Sequence, residues 1–434
     1  MSVPHTASGP VFIRGMRVVE HRFTVPLDHS RPDGEQITVF AREYSDPEVT
    51  AAGDLPWLVY LQGGPGGKGN RLLQFGGWTK AASRRFRILM LDQRGTGLST
   101  PANRQSLAAR GNAAAQAEYL THFRADSIVA DAELIRAALG SGPWSIYGQS
   151  YGGFCALTYL SFAPSGLKEV LITGGLAPLW GPADRVYEAT FARVAARNAE
   201  YFAKYPGDRD LTTRIARHLD SVPEFLPDGT RLTCRRFQMA GSYLGGNTRM
   251  DGLHHLLEEA FIQAPDGPRL SDTFLAALWQ LAERSTNPLY ALMHESIYGQ
   301  GQATNWAAWR VLETRPDFQP DAADPLYTGE MVYPWYFEED PALRPLKDTA
   351  ELLAAKENWP RLYDPQQLAR NTVPAAAAVY TDDIYVDRDL SMETAAAIQG
   401  LQVWETDEFH HDGIADDGEG IFNRLLGMVR GEVR

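Results

Sequence analysis

Cysteine is almost missing from this chain. The two present in 434 residues, Cys155 and Cys234, exclude a disulfide framework or a cysteine metal cluster and fit a reducing cytosol. Long apolar runs are missing too: none approaches the ~20 residues that a membrane helix needs. The stretch Met1 to Pro10 has no basic start followed by an apolar core, so no signal peptide is read there and a cytoplasmic, soluble protein is expected. Nor is there an excess of Lys and Arg. A formal net charge of −13 argues against nucleic acid, which rewards clustered cations, and is compatible with amine substrates. Repeats and low-complexity segments are likewise absent. What remains is an ordinary globular composition, 44% hydrophobic and 11% aromatic, which supplies ample core for one large domain plus an insertion.

Short apolar runs closed by turn residues mark the strands. Trp57 to Leu61 ends at a glycine-rich loop, Phe86 to Leu91 at Asp92-Gln93-Arg94-Gly95, Trp144 to Tyr147 at Gly148, and Val170 to Thr173 at Gly174-Gly175. Runs apolar on both sides are what buried parallel strands look like. Arg17 to Val25 and Gln36 to Tyr44 alternate like antiparallel strands at a sheet edge, and Ser127 to Leu139 reads as a helix. From about Leu176 to Leu346 the chain turns helical and rich in Trp, Tyr, Arg and Glu, with no clear strands; strand signals return at Ala375 to Tyr380 and Leu401 to Glu405. The expected organisation is an α/β domain in two parts, 1–176 and 347–434, interrupted by a helical cap over 177–346.

Gly148-Gln149-Ser150-Tyr151-Gly152-Gly153 has the form G-x-S-x-G where a strand would turn into a helix. Such a turn leaves no room for side chains two residues either side of the serine, so glycine there is a steric requirement. The turn lifts the Ser150 hydroxyl off the sheet edge and leaves the Tyr151 amide at a helix N-terminus, free to donate to an oxyanion. A nucleophilic serine needs a base, and the base an orienting acid. Thr381-Asp382-Asp383-Ile384-Tyr385 follows one late strand and Phe409-His410-His411-Asp412-Gly413 the other, so both partners stand just past a strand, in the order serine, acid, base. Loop position favours Asp383 over Asp382 and His411 over His410: Asp383 leads into Ile384-Tyr385, and His411 adjoins the tight turn Asp412-Gly413.

The loop Gln62-Gly63-Gly64-Pro65-Gly66-Gly67 offers bare backbone for a second oxyanion amide, read at Gly64. Gly64 to Gly69 also matches the dinucleotide pattern G-x-G-x-x-G with Asp92 downstream, but no convincing helix follows on which a pyrophosphate would sit. The P-loop pattern fails as well, because no Ser or Thr follows Lys68. Asp92 and Arg94 are read as braces for the loops around the cleft.

Taken together, Gly63-Gly64-Pro65-Gly66-Gly67, Asp92-Gln93-Arg94-Gly95-x-Gly97-x-Ser99 and Gly148 to Gly153 resemble the proline iminopeptidases of the α/β-hydrolase fold. In that family histidine usually precedes the first motif; here Gln62 stands instead. The resemblance implies a serine aminopeptidase that takes peptides with a free N-terminus. Ser150 would attack, His411 act as general base, Asp383 hold its tautomer, and the amides of Gly64 and Tyr151 hold the oxyanion. It also implies a cap carboxylate for the substrate's amino group. Glu295, in His294-Glu295-Ser296-Ile297-Tyr298, matches the family's Glu-x-x-Tyr context, with Glu330 as a second carboxylate and Glu338 as its alternative. No metal and no organic cofactor are called for. An esterase or broader aminopeptidase on the same triad, and a non-catalytic binding protein of this fold, are the alternative readings; Ser150 speaks against an epoxide hydrolase, whose nucleophile is Asp.

Overall fold

The computed structural model of the chain describes residues 3–51 and 53–433. Eight strands come first: β1 (His5–Ala7), β2 (Val11–Ile13), β3 (Met16–Pro26), β4 (Gln36–Ser45), β5 (Trp57–Leu61), β6 (Arg87–Asp92), β7 (Trp144–Gln149) and β8 (Leu167–Thr173). Helices then dominate until β11 (Ala375–Tyr380) and β12 (Leu401–Thr406), broken by one hairpin, β9 (Phe261–Ala264) and β10 (Gly267–Leu270). Ten of these strands form one sheet in the order β1-β3-β4-β6-β5-β7-β8-β11-β12, with β2 also on β3. The strands from β6 to β12 in that order run parallel, while β1 to β4 add an antiparallel wing.

The central strands are buried on both faces because both faces carry helices. Val59, Leu61 and Ile146 point into one core with the helices Ala125–Ala138 and Tyr151–Phe162, whereas Leu58, Tyr60 and Tyr147 join Trp78 and Phe422 on the other. There the indole of Trp78, in the helix Gly77–Ser83, stacks on Tyr60 at 4.7 Å and meets Tyr147 edge-on at 5.3 Å; Phe422 of the helix Gly413–Val429 closes the group. Strand β11 reads Ala-Ala-Ala-Ala-Val-Tyr, a poor strand former by propensity, yet every residue in it is buried. Its pairing with β8 and β12 and its burial between helices override the local preference.

The hairpin β9–β10 departs from the helical reading of 177–346. Its signal lies in Pro265-Asp266-Gly267, where Gly267 takes a φ of +123° that ends a tight turn. Flanking strands of four residues are too short for alternation to stand out.

Two buried ions tie the sheet to the loops at its active end. Arg94, just past β6, donates through Nε to Asp131 Oδ2 at 2.7 Å and through Nη1 to the carbonyls of Leu27 and His122 at 2.8 and 2.7 Å. Both Arg94 and Asp131 are withdrawn from water. Asp92, at the end of β6, accepts from the amides of Gly69 and Leu98 at 3.0 and 2.8 Å and from Arg71. A guanidinium so deeply buried costs several kcal/mol if stripped of its partner. Replacing Asp131 by alanine is therefore expected to lower unfolding free energy by about 3–5 kcal/mol, read as a fall in the urea midpoint at unchanged slope.

Candidate active site

Ser150 sits between β7 and the helix Tyr151–Phe162 with φ 54° and ψ −125°, a backbone conformation that an L-residue adopts only under constraint. The constraint is backbone packed on backbone. A Cβ on Gly152 would run into the Leu61 carbonyl of β5, and one on Gly148 into the Gly152 carbonyl. The Ser150 amide donates to the Thr173 carbonyl at 3.0 Å, and its own carbonyl starts the following helix. Tyr151 is the first residue of that helix, so its amide has no partner within it. The loop after β5 lies against the serine: a Cβ on Gly63 would stand 3.2 Å from that of Ser150, and Gly64 takes φ +138°, a region that favours glycine. Gln93 Nε2 holds this loop by donating to the Gln62 carbonyl at 3.2 Å.

The candidate acid and base arrive from the far strands. Asp383 follows β11 and His411 follows β12, and His411 Nδ1 lies 2.8 Å from Asp383 Oδ2, both residues buried. Asp383 Oδ1 accepts from the amides of Tyr385 and Val386 at 2.8 and 3.0 Å, which fixes the carboxylate plane. Burial works against charge on the His411 ring, but the charge and hydrogen bond of Asp383, with Glu330 further off, outweigh it, so its pKa is raised above 6.5. Gly174 forms the floor under this pair; a Cβ there would reach 3.3 Å from His411 Nδ1. The neighbours serve otherwise. His410 Nδ1 meets the Asp382 carbonyl at 3.1 Å, and burial pushes its pKa down.

Ser150, His411, Gly64 and Glu330 line one cleft of about 500 Å³, together with Tyr290, Arg249, Arg284, Tyr385 and Asp412. Glu330 is half-buried, and its Oε1 accepts from the Tyr290 hydroxyl at 2.6 Å. Tyr385 meets the His411 ring edge-on at 4.9 Å. Arg249 crosses from the helix Asn247–Glu258 to pair with Asp412, the residue after the base.

Glu295 is not among the residues that line this cleft. Its two oxygens accept from the amides of Ala307 and Ala308, at 3.0 and 2.8 Å, at the start of the helix Ala307–Leu312. The Glu-x-x-Tyr context set it in a binding wall; in the structure its carboxyl lies buried on the amides that begin this helix. Glu338 is exposed and pairs with Lys347 at 2.7 Å, also away from the cleft. Tyr290, Arg249 and Arg284 were missed in the sequence because no local pattern marks them. The ligand atoms of His254, His255 and Glu258 lie within 4.8 Å of one another on a helix surface, a geometry open to a metal ion, but none of the three lines the cleft.

A serine on a strained strand-to-helix turn, with acid and base on loops after later parallel strands, defines a serine hydrolase of the α/β-hydrolase fold. A sequence model described as alpha/beta hydrolase fold matches residues 56–230. The chain is 48% identical over 419 residues to a proline iminopeptidase of Aeromonas sobria, covering 96% of this chain and 97% of that one. It is 36% identical over 430 residues to a proline iminopeptidase of Aspergillus aculeatus, covering 95% and 93%. The chain belongs to the proline iminopeptidase family.

Two outcomes follow from the charges. With a substrate of free amine, kcat/KM is expected to rise with pH through a midpoint above 6.5, and Asp383→Asn to move that midpoint down while cutting kcat by roughly 10⁴-fold. Burial pushes the Glu295 carboxyl up to about 7. A carboxyl that holds its proton more tightly when folded stabilises fully below its ordinary 4.5, and that contribution is lost as pH rises through 7. Unfolding free energy is expected to fall by an amount on the order of 3 kcal/mol between pH 4.5 and 8, with the slope reduced in Glu295→Gln.

Proposed function

We propose that this chain is a serine aminopeptidase that releases N-terminal proline from peptides through an acyl-enzyme. The observation that carries the reading is one cleft in which the serine of a family-typical elbow and His411 share space with a carboxylate, Glu330. Ser150 attacks the carbonyl of the first residue while His411 takes its proton and Asp383 holds the imidazole in the required tautomer. The amides of Tyr151 and Gly64 take up the charge that develops on the carbonyl oxygen. His411 then returns the proton to the leaving amine, and water, activated by the same ring, releases proline. Glu330 is the residue we assign to the substrate's charged imino group. Its influence on the His411 ring supports that role, because the amino group of a first residue lies one carbon from the carbonyl under attack.

The segment 177–346 acts in this reading as a cap, contributing Arg249, Arg284, Tyr290 and Glu330 to the cleft and closing it beyond the amino end of the substrate. That closure makes the enzyme an exopeptidase. Cys155 and Cys234 are both free, in keeping with action in the cytoplasm.

The test compares a proline arylamide with its N-acetylated counterpart. Wild type is expected to cleave only the free-amine substrate, Ser150→Ala to lose activity by several orders of magnitude, and Glu330→Gln to raise KM more than tenfold with a smaller loss in kcat. Equal cleavage of both substrates would remove the aminopeptidase reading and leave an esterase-like hydrolase.

A further inference from the structure

The segment between the helices Asp272–Ala282 and Pro288–Met293 brings a second charge to the cleft. Arg284 anchors itself there by backbone: its amide donates to Asp340 Oδ2 at 2.9 Å, and its Nη1 donates to the carbonyls of Leu281 and Glu283, each at 2.9 Å. The adjacent carboxylate, Glu283, is turned to the amide and hydroxyl of Ser285, and among the described residues Arg284 forms no ion pair. Its Nε is buried without a hydrogen-bond partner. Arg249, the other cation of the cleft, is already paired with Asp412.

A cation held at a cleft with donors to spare and no carboxylate in direct contact is ready to take an anion. The position of Arg284 says which anion. Its guanidinium carbon stands 5.2 Å from the centre of the Tyr290 ring, and the hydroxyl of that same ring donates to Glu330. A carboxylate and a guanidinium are therefore set apart by about one tyrosine side chain on the same wall. Glu330 lies near enough to act on His411, and Arg284 lines the same cleft on the other side of the Tyr290 ring. The negative group thus neighbours the reacting residues, with the positive group over the Tyr290 ring beside it.

We propose that Arg284 binds the terminal carboxylate of a dipeptide substrate, so that the site selects zwitterionic dipeptides with both ends free. An extended chain advances about 3.3–3.6 Å per residue, so a dipeptide whose amine is held at Glu330 carries its carboxylate about 7 Å away. Arginine suits the task because its planar fork meets a carboxylate with two parallel hydrogen bonds. The inference rests on the aminopeptidase reading, and in particular on Glu330 as the amine anchor.

The experiment measures kcat/KM for Pro-Ala and for Pro-Ala amide, with proline arylamide as a reference, in wild type, Arg284→Gln and Arg284→Lys. Wild type is expected to favour the free acid over the amide roughly tenfold. Arg284→Gln is expected to abolish that ratio by losing activity on the acid alone, and Arg284→Lys to keep part of it. Comparing ratios between variants cancels the different basicity of the two leaving amines. Parity between acid and amide in wild type, or an equal loss on both in Arg284→Gln, would overturn the carboxylate subsite while cleavage of the arylamide left the aminopeptidase reading standing. Failure to cleave any of the three would overturn both.

Discussion

The contact between Gly152 and the carbonyl of Leu61 sets the terms for the rest of the molecule. It brings the helix after Ser150 so close to the parallel strands that no side chain fits between. The serine is thereby forced into a left-handed turn, which costs about 1–3 kcal/mol. That cost is met by the helix itself, whose residues are buried from Tyr151 through Ser161. Strain at one residue and burial over eleven are two sides of one arrangement. Loosening the packing would relax the serine and at the same time withdraw the amide that faces it.

Around that turn the cleft is assembled from pieces that have no local relation to one another. The loop after β5 supplies bare backbone, the loop after β12 supplies His411, backed by Asp383 after β11, and the helical segment supplies Tyr290, Glu330 and two arginines. Charge in the cleft is arranged in a graded way. Asp383 is consumed by His411 and two backbone amides, Asp412 by Arg249, and Glu330 only by a neutral hydroxyl. A carboxylate whose partner carries no charge keeps most of its capacity to hold a cation. It is the degree of compensation, more than the presence of acidic residues, that sets Glu330 apart from its neighbours.

The sheet was legible in the sequence because its strands are buried on both faces. Trp57–Leu61 and Ala375–Tyr380 were bounded to the residue by their apolar runs alone. The turn at Ser150 was legible for a related reason: close backbone contact leaves glycine as the only solution, and glycine is visible. The pairing of Asp383 with His411 could be narrowed to two candidates each by loop position. The cap resisted the same treatment. Glu295 and Glu330 are both glutamates with aromatic neighbours in the sequence, and what separates them is the pair of free amides that begins the helix Ala307–Leu312. A distant segment decides whether a carboxylate is used up or left available, and no spacing within the motif encodes that. Arg284 is invisible for the mirror-image reason, since its significance lies in partners that it does not have.

Strand β11 reaches β8 across a long gap in the chain: the hydroxyls of Thr173 and Tyr380, which meet in the core, belong to residues 207 positions apart. During synthesis the elbow and its helix are therefore complete while the residues that would activate the serine are still unmade. A growing chain holds an inert hydroxyl until its last strands thread in beside β8. The order of the polypeptide thus sets the whole helical segment that lines the cleft between the serine and the residues that meet it there.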